Sequence, residues 1–143
     1  NPYAKVPVLI DGAVVIYESP IINEYLDEKF PELPLLPNNA LQRAKGRFWV
    51  DFLNSPVPPP ASDITHDRQP DRARQRLQQH LSTLNSEMTG KDFIVGDYSL
   101  ADVSFIPFYA RQERYGVTIE DNFPNLKRWG EELVARPAVA STL

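Results

Sequence analysis

Val8-Leu9-Ile10 is a short apolar run that ends at Asp11-Gly12, and Val14-Val15-Ile16-Tyr17 is a second, β-branched one. Two such runs around a short glycine-containing turn predict an antiparallel hairpin. Glu18 ends the second strand. Ser19 then suits a helix N-cap and Pro20 the first helical position. Ile22, Tyr25, Leu26 and Lys29-Phe30 give one apolar face to a helix running to about Phe30, where Pro31 stops it. The stretch 31–37, PELPLLP, reads as an extended linker.

After the linker the pattern becomes wholly helical. A first helix is expected over 40–54, with Leu41, Ala44, Phe48, Trp49 and Phe52 along its apolar side. The proline-rich stretch 55–61 is expected to break it, and 62–69 to be polar loop. Over 71–88, Ala73, Leu77, Leu81, Leu84 and Met88 recur at helical spacing, with Gly90 placed to cap the end. Residues 93–98 read as a loop into Ser99. From there Leu100, Ala101, Val103, Phe105, Ile106, Phe108, Tyr109 and Ala110 make a helix apolar nearly all round, hence central, with a kink expected at Pro107. A further helix begins at Phe123-Pro124 and runs through Leu126, Trp129, Leu133 and Val134; Pro137 starts a short last one. A hairpin and one helix are a poor folding unit, so the strands are expected to need sheet partners outside this sequence.

The bulk numbers narrow the function classes. At 143 residues, 42% hydrophobic and 24% charged, the chain suits one compact domain, or a small domain with a fragment of another. A net charge of −4 and a pI near 5.1 argue against a nucleic-acid partner. No apolar run approaches the roughly 20 residues of a membrane helix, and no signal peptide is evident. Without cysteine there is neither disulfide, thiolate metal site nor cysteine nucleophile, and a cytoplasmic setting is the default expectation.

Two short stretches carry candidate chemistry. At Val6-Pro7, bare statistics favour a trans proline starting an edge strand; a cis bond would turn the backbone N–H and C=O of Val6 outward, toward an extended peptide. At Glu18-Ser19-Pro20, a helix N-terminus and the Ser19 hydroxyl suit a carboxylate, and Glu18 suits an amine. A plain N-cap beside an incidental acid is about as common. Lys5 could meet a second carboxylate or be solvated surface. One ligand with an amine, two carboxylates and a central peptide unit would use them all, and glutathione is such a ligand. Ser99 and Asp102 form an S-x-x-D capping box, a structural feature. His66 and His80 have no metal-ligand spacing and receive no role. Arg68, Arg72, Arg74 and Arg76, interleaved with acids, read as a solvated or intersubunit face. Neither a phosphate loop nor a G-x-S-x-G elbow occurs.

These residues resemble the cytosolic glutathione transferase superfamily over essentially the whole chain. NPYAKVPVLIDG, AVVIYES and IINEYLDEKFPELPLLP are similar to the second half of its thioredoxin-like domain plus linker. FIVGDYSLADVSFIPFYARQERYG is similar to its buried helix with capping box. The phrasing looks nearest to omega-class enzymes and to stringent starvation protein A. The resemblance implies a partial thioredoxin-like α/β piece at 1–33, a linker at 34–39 and an all-α domain at 40–143. It implies that Val6, before a cis Pro7, holds the cysteinyl backbone of glutathione, that Glu18 and Ser19 hold the γ-glutamyl end, and that Lys5 approaches the glycyl carboxylate. A hydrophobic or thiol-reactive co-substrate would lie between the domains, with Phe48, Phe52 and Tyr109 as candidate walls. The implied activity is transfer of the glutathione thiolate to an electrophile or disulfide; the alternative is a non-catalytic binding protein. The implied assembly is a homodimer, without metal. The family's catalytic Tyr, Ser or Cys maps onto no residue here.

Overall fold

The computed structural model describes residues 1–2, 4–119 and 122–142. Strands β1 (Val8–Asp11) and β2 (Val14–Tyr17) pair antiparallel, Val8 opposite Tyr17 and Asp11 opposite Val14. The loop is therefore Gly12-Ala13, one residue later than the expected Asp11-Gly12 turn. Gly12 takes φ 60°, the positive value that a two-residue hairpin loop demands. Asp11 points back to helix α1 (Ser19–Lys29), where its carboxylate accepts hydrogen bonds from Lys29 Nζ and Tyr25 Oη. Those partners, Lys29 first, hold the Asp11 carboxyl below its usual range. Val8, Ile10 and Val15 share one face of the ladder and stay exposed, as does Val14 on the other, so the hairpin carries an apolar face with no cover among the described residues.

The expectation that Ser19 caps α1 is corrected by one residue. Glu18 occupies the N-cap position, because its carbonyl already accepts the Ile22 N–H at 2.9 Å. Ser19 is then the first helical residue and Pro20 the second, where a missing N–H leaves nothing unpaired. From the same helix Asp27 accepts the backbone N–H groups of Leu35 (2.5 Å) and Leu36 (3.0 Å), which fastens the linker to α1.

Helix α2 (Ala40–Asn54) has the expected bounds and is capped by Asn39, whose side chain accepts the Leu41 and Gln42 N–H groups. Its buried face matches the expected one in part, with Trp49 buried and Phe52 half-buried. Gly46, Trp49 and Leu53 are buried, whereas Leu41, Ala44 and Phe48 are exposed. The two stripes share the same i, i+3, i+7 spacing, and packing, chiefly against helix α5 (Leu100–Ala110), selects between them.

The proline-rich stretch is also corrected. Pro58–Thr65 forms helix α3, so 55–61 breaks the chain only as far as Val57, and 62–65 is not loop. Pro58, Pro59 and Pro60 fill the first turn, where backbone N–H groups have no helical acceptor and proline is tolerated. Helix α4 (Pro70–Glu87) buries Ala73, Leu77, Leu81 and Leu84, followed by buried Met88, as the spacing predicted. Pro107 lies inside α5. Helices α6 (Pro124–Val134) and α7 (Pro137–Ala140) complete the described elements, after one 3-10 turn at Gln112–Tyr115.

The core lies where α4, α5 and α6 meet. Phe105 of α5 stacks flat on Trp129 of α6, centroids 4.2 Å apart, over Leu77, Leu81, Leu126 and Leu133. α5 also touches α2 and α1, so the most apolar helix is the pillar between the hairpin–α1 piece and the helical bundle. Among the described residues no helix is long and apolar enough to cross a membrane.

Candidate functional site

The hairpin register sets the first part of the site. Val8 faces Tyr17 at the open end of the ladder, so Pro7 and Glu18, one step beyond, leave the sheet side by side. Lys5, Val6 and Pro7 thus share one end of the hairpin with Glu18 and Ser19. The Val6-Pro7 bond is cis, the alternative that local statistics disfavoured. Val6 is 90% exposed. Glu18 holds φ 67°, a region that costs a non-glycine residue about 1–3 kcal/mol and that clusters at functional sites. Its side chain makes no capping bond.

Ser19 stands where two cavities meet. The first, about 480 Å³, lies between α1 and α2 and is lined by Glu18, Ser19, Glu24, Arg47, Asp51 and Asn54, among others. Arg47 is committed to Glu24 in an ion pair. Asp51 accepts the Ser55 hydroxyl at 2.8 Å. Among the described residues this cavity is therefore acidic, with its one lining cation already paired. The second cavity, about 410 Å³, shares Ser19, Asn54 and Ser104 with the first and continues between α2, α3 and α5. Its walls include Leu53, Val57, Ala61, Phe108 and Tyr115, and among the described residues no carboxylate lines it. One polar groove and one apolar groove thus run away from a single serine at a helix start.

The expected co-substrate walls lie elsewhere. Phe48 is 57% exposed and packs edge-on against Trp49. Phe52 packs on Trp49 and His80. Tyr109 lies against Phe105, under Gly130 of α6. None of the three lines either cavity beside Ser19. The residues that do, Val57, Phe108 and Tyr115, come from the proline cluster, the central helix and the 3-10 turn. A faint signal existed for one of them, since Ser104 and Phe108 share a face of α5 at i, i+4.

The capping box is present in full. The Ser99 side chain accepts the Ala101 N–H at 3.3 Å, and Asp102 Oδ2 accepts the Ser99 N–H and Oγ–H, each at 2.8 Å. Asp102 Oδ1 accepts the Ile94 N–H at 3.1 Å and the Trp129 indole N–H at 2.9 Å. Burial pushes the Asp102 carboxyl up from its ordinary value, against four hydrogen bonds that favour its ionised form. This is a structural hub beneath α5. The arginine run sits apart from the cavities at Ser19: Arg68, before α4, and Arg72 and Arg76 on it line a separate hollow, with Arg68 paired to Asp63 at 2.9 Å. Among the described residues no cluster of His, Asp and Glu could hold a metal.

A hairpin and helix docked on a bundle with a buried capping-box helix define a glutathione transferase fold. Comparison with known proteins makes the assignment. The profile for the glutathione S-transferase C-terminal domain matches residues 48–137, and that for the N-terminal domain matches 1–34. A relative named Glutathione S-transferase U25, from Arabidopsis thaliana, is 35% identical over 152 residues, covering 100% of this chain and 69% of its own length. A probable glutathione S-transferase of Nicotiana tabacum is 33% identical, with 100% and 68% covered. A glutathione S-transferase of class Gtt2 from Vibrio parahaemolyticus superposes with a TM-score of 0.87 at 26% identity, covering 99% of this chain and 74% of that one. Ure2p in complex with glutathione superposes at 0.91 and 23% identity, covering 100% and 77%, a likeness of fold. The chain belongs to the glutathione S-transferase family. These two sequence relatives are plant proteins, and the likeness does not single out omega-class enzymes or stringent starvation protein A.

Proposed function

We propose that this protein binds glutathione at the Ser19 end of the paired cavities and transfers its thiolate to an electrophilic or disulfide substrate. The observation that carries this is the position of Ser19: it starts a helix, and it joins an acidic groove to an apolar one. In this reading the γ-glutamyl carboxylate meets the Ser19 hydroxyl and the helix start, and the γ-glutamyl amine meets Glu18. Val6 holds the cysteinyl main chain and Lys5 the glycyl carboxylate. Residues 1–33 form the glutathione side and 40–143 the co-substrate side, joined by 34–39.

The chemistry needs a group that favours the thiolate over the thiol, and we assign that role to no residue of this chain. The co-substrate enters the apolar cavity, so the walls are Val57, Phe108 and Tyr115 in place of Phe48, Phe52 and Tyr109. In this reading the protein is cytoplasmic and dimeric, and sedimentation at a single mass of one chain would refute the dimer.

Retention on immobilised glutathione, with calorimetric titration of free glutathione, tests the binding. Specific elution by free glutathione is the expected result. No retention and no thermal shift at millimolar glutathione would overturn it. Binding with no turnover of any chloronitrobenzene would leave a non-catalytic binder.

A further inference from the structure

The apolar cavity carries a charge that the chain's overall balance does not suggest. The chain has a net charge of −4, yet among the described residues no Asp or Glu lines this cavity and one arginine, Arg114, does. Arg114 sits on the 3-10 turn, and its guanidinium has no carboxylate partner among the described residues. The neighbouring polar groups on the wall are spoken for or neutral. Thr65 donates its hydroxyl hydrogen to the Ala61 carbonyl at 3.0 Å, and His66 Nδ1 lies 2.8 Å from the Ser62 carbonyl. Beside Arg114, Phe108 and Tyr115 stack with centroids 5.6 Å apart and planes 16° from parallel. The cavity therefore offers an aromatic wall, an apolar floor at Val57 and Ala61, and one free cationic fork.

We infer that this cavity selects aromatic electrophiles that carry an acid group, with Arg114 as the specificity-determining residue. The inference rests on the proposed glutathione site at Ser19, which sets the end of the cavity where the sulfur arrives. A ring lying on the Phe108–Tyr115 wall gains from stacking and burial. Its carboxylate or sulfonate meets the guanidinium fork, which matches a planar oxyanion with paired N–H bonds. The acid group sits at Arg114 and the reacting carbon faces Ser19. For a chloronitroaryl acid the thiolate sulfur attacks the ring carbon bearing chlorine. The C–S bond forms, the C–Cl bond breaks, chloride leaves with the bonding electron pair, and the thiol proton goes to water. The two cavities then divide the charges: carboxylates near the glutathione amine, an arginine near the substrate's acid.

The test compares 4-chloro-3-nitrobenzoate with 4-chloro-3-nitrobenzamide, which share a ring and leaving group and differ in charge. Binding is read by tryptophan quenching, and glutathione affinity is titrated in parallel. The expected result is a benzoate preference of about five- to tenfold, the size of one charge-assisted hydrogen-bonded contact at a partly open site. In Arg114→Gln that ratio falls to about one, and Arg114→Lys keeps part of it. An equal affinity of the native protein for the two compounds would overturn the inference, as would an unchanged ratio in Arg114→Gln. Should Arg114→Gln fail to fold, the native ratio is followed against salt. It is expected to fall steeply between about 0.05 M and 0.5 M, where screening lengths shorten to a few ångströms, and a flat ratio would overturn the inference. A preserved ratio in a protein that does not bind glutathione would uphold the acid selectivity and overturn the glutathione reading instead.

Discussion

Trp129 donates its indole N–H to Asp102 Oδ1 at 2.9 Å, joining α6 to the first turn of α5 inside the core. The carboxylate is then saturated: Oδ1 also takes the Ile94 N–H, and Oδ2 takes both donors of Ser99. Each oxygen meets two donors, so no orientation of an amide can replace the carboxylate. Asp102→Asn should destabilise the fold by about 2–4 kcal/mol in urea unfolding, because its NH2 faces two donors that lose their acceptor. Trp129→Phe should cost about 1–3 kcal/mol through one lost bond and a loosened stack on Phe105. The double variant should cost less than the sum, since the two share a bond. Strict additivity would show that the bond contributes nothing.

Gly130 and Tyr109 form a second tight crossing of α5 and α6. A Cβ on Gly130 would overlap the Tyr109 ring, so the glycine is there for its missing side chain. Gly130→Ala should destabilise by about 1–3 kcal/mol, although alanine is the better helix former by about 1 kcal/mol. In a Tyr109→Ala background the same change should turn neutral or stabilising, as measured by paired melts. An equal penalty in both backgrounds would mean that the ring is not what fills the space.

What could be read from the sequence follows the range of the interactions concerned. The Ala73-Leu77-Leu81-Leu84 stripe and the Ser99/Asp102 box are local patterns, and both lie as expected. The buried face of α2 was read only in part, through Trp49 and Phe52, because Gly46-Trp49-Leu53 and Leu41-Ala44-Phe48 repeat at the same spacing and only packing, chiefly against α5, decides between them. Helix α3 was missed because a proline run breaks a helix in its interior but fits its first turn, and the sequence does not mark which it is. At the site, Glu18, Ser19 and the Val6-Pro7 corner could be found together because a tight hairpin couples them. Phe108 and Tyr115 could not, because their cavity is assembled from segments that meet only in the folded bundle.

His80 should titrate below its ordinary value near 6.5. Burial against Phe52 and repulsion from Arg76 both disfavour its charged form, burial more strongly. The fold therefore favours the neutral form of His80. The stability this contributes is fully present above about pH 6.5, the ordinary value, and is lost as pH falls through the lower folded value. Relative to His80→Gln, the native protein should lose stability on acidification through that window. In an NMR titration Arg76→Gln should move the His80 midpoint upward while leaving it below the ordinary value. A midpoint unchanged by Arg76→Gln would remove the arginine from the account.

Glu18 and Ser19 should separate the two halves of glutathione's γ-glutamyl group. Ser19→Ala removes one hydroxyl donor and leaves the backbone at the helix start, so affinity should fall by about tenfold, the scale of one hydrogen bond to a charged group. Glu18→Gln keeps the shape and removes the charge. Against glutathione it should weaken binding by a similar factor, and raising salt should narrow the gap between native and variant. N-acetylglutathione has no amine cation to offer. It should bind the native protein more weakly than glutathione does, yet bind Glu18→Gln about as well as it binds the native protein, because the interaction is already absent. Equal affinity of the native protein for glutathione and its N-acetyl form would show that Glu18 does not read the amine, and the γ-glutamyl end would then have to lie away from the acidic cavity beside Ser19.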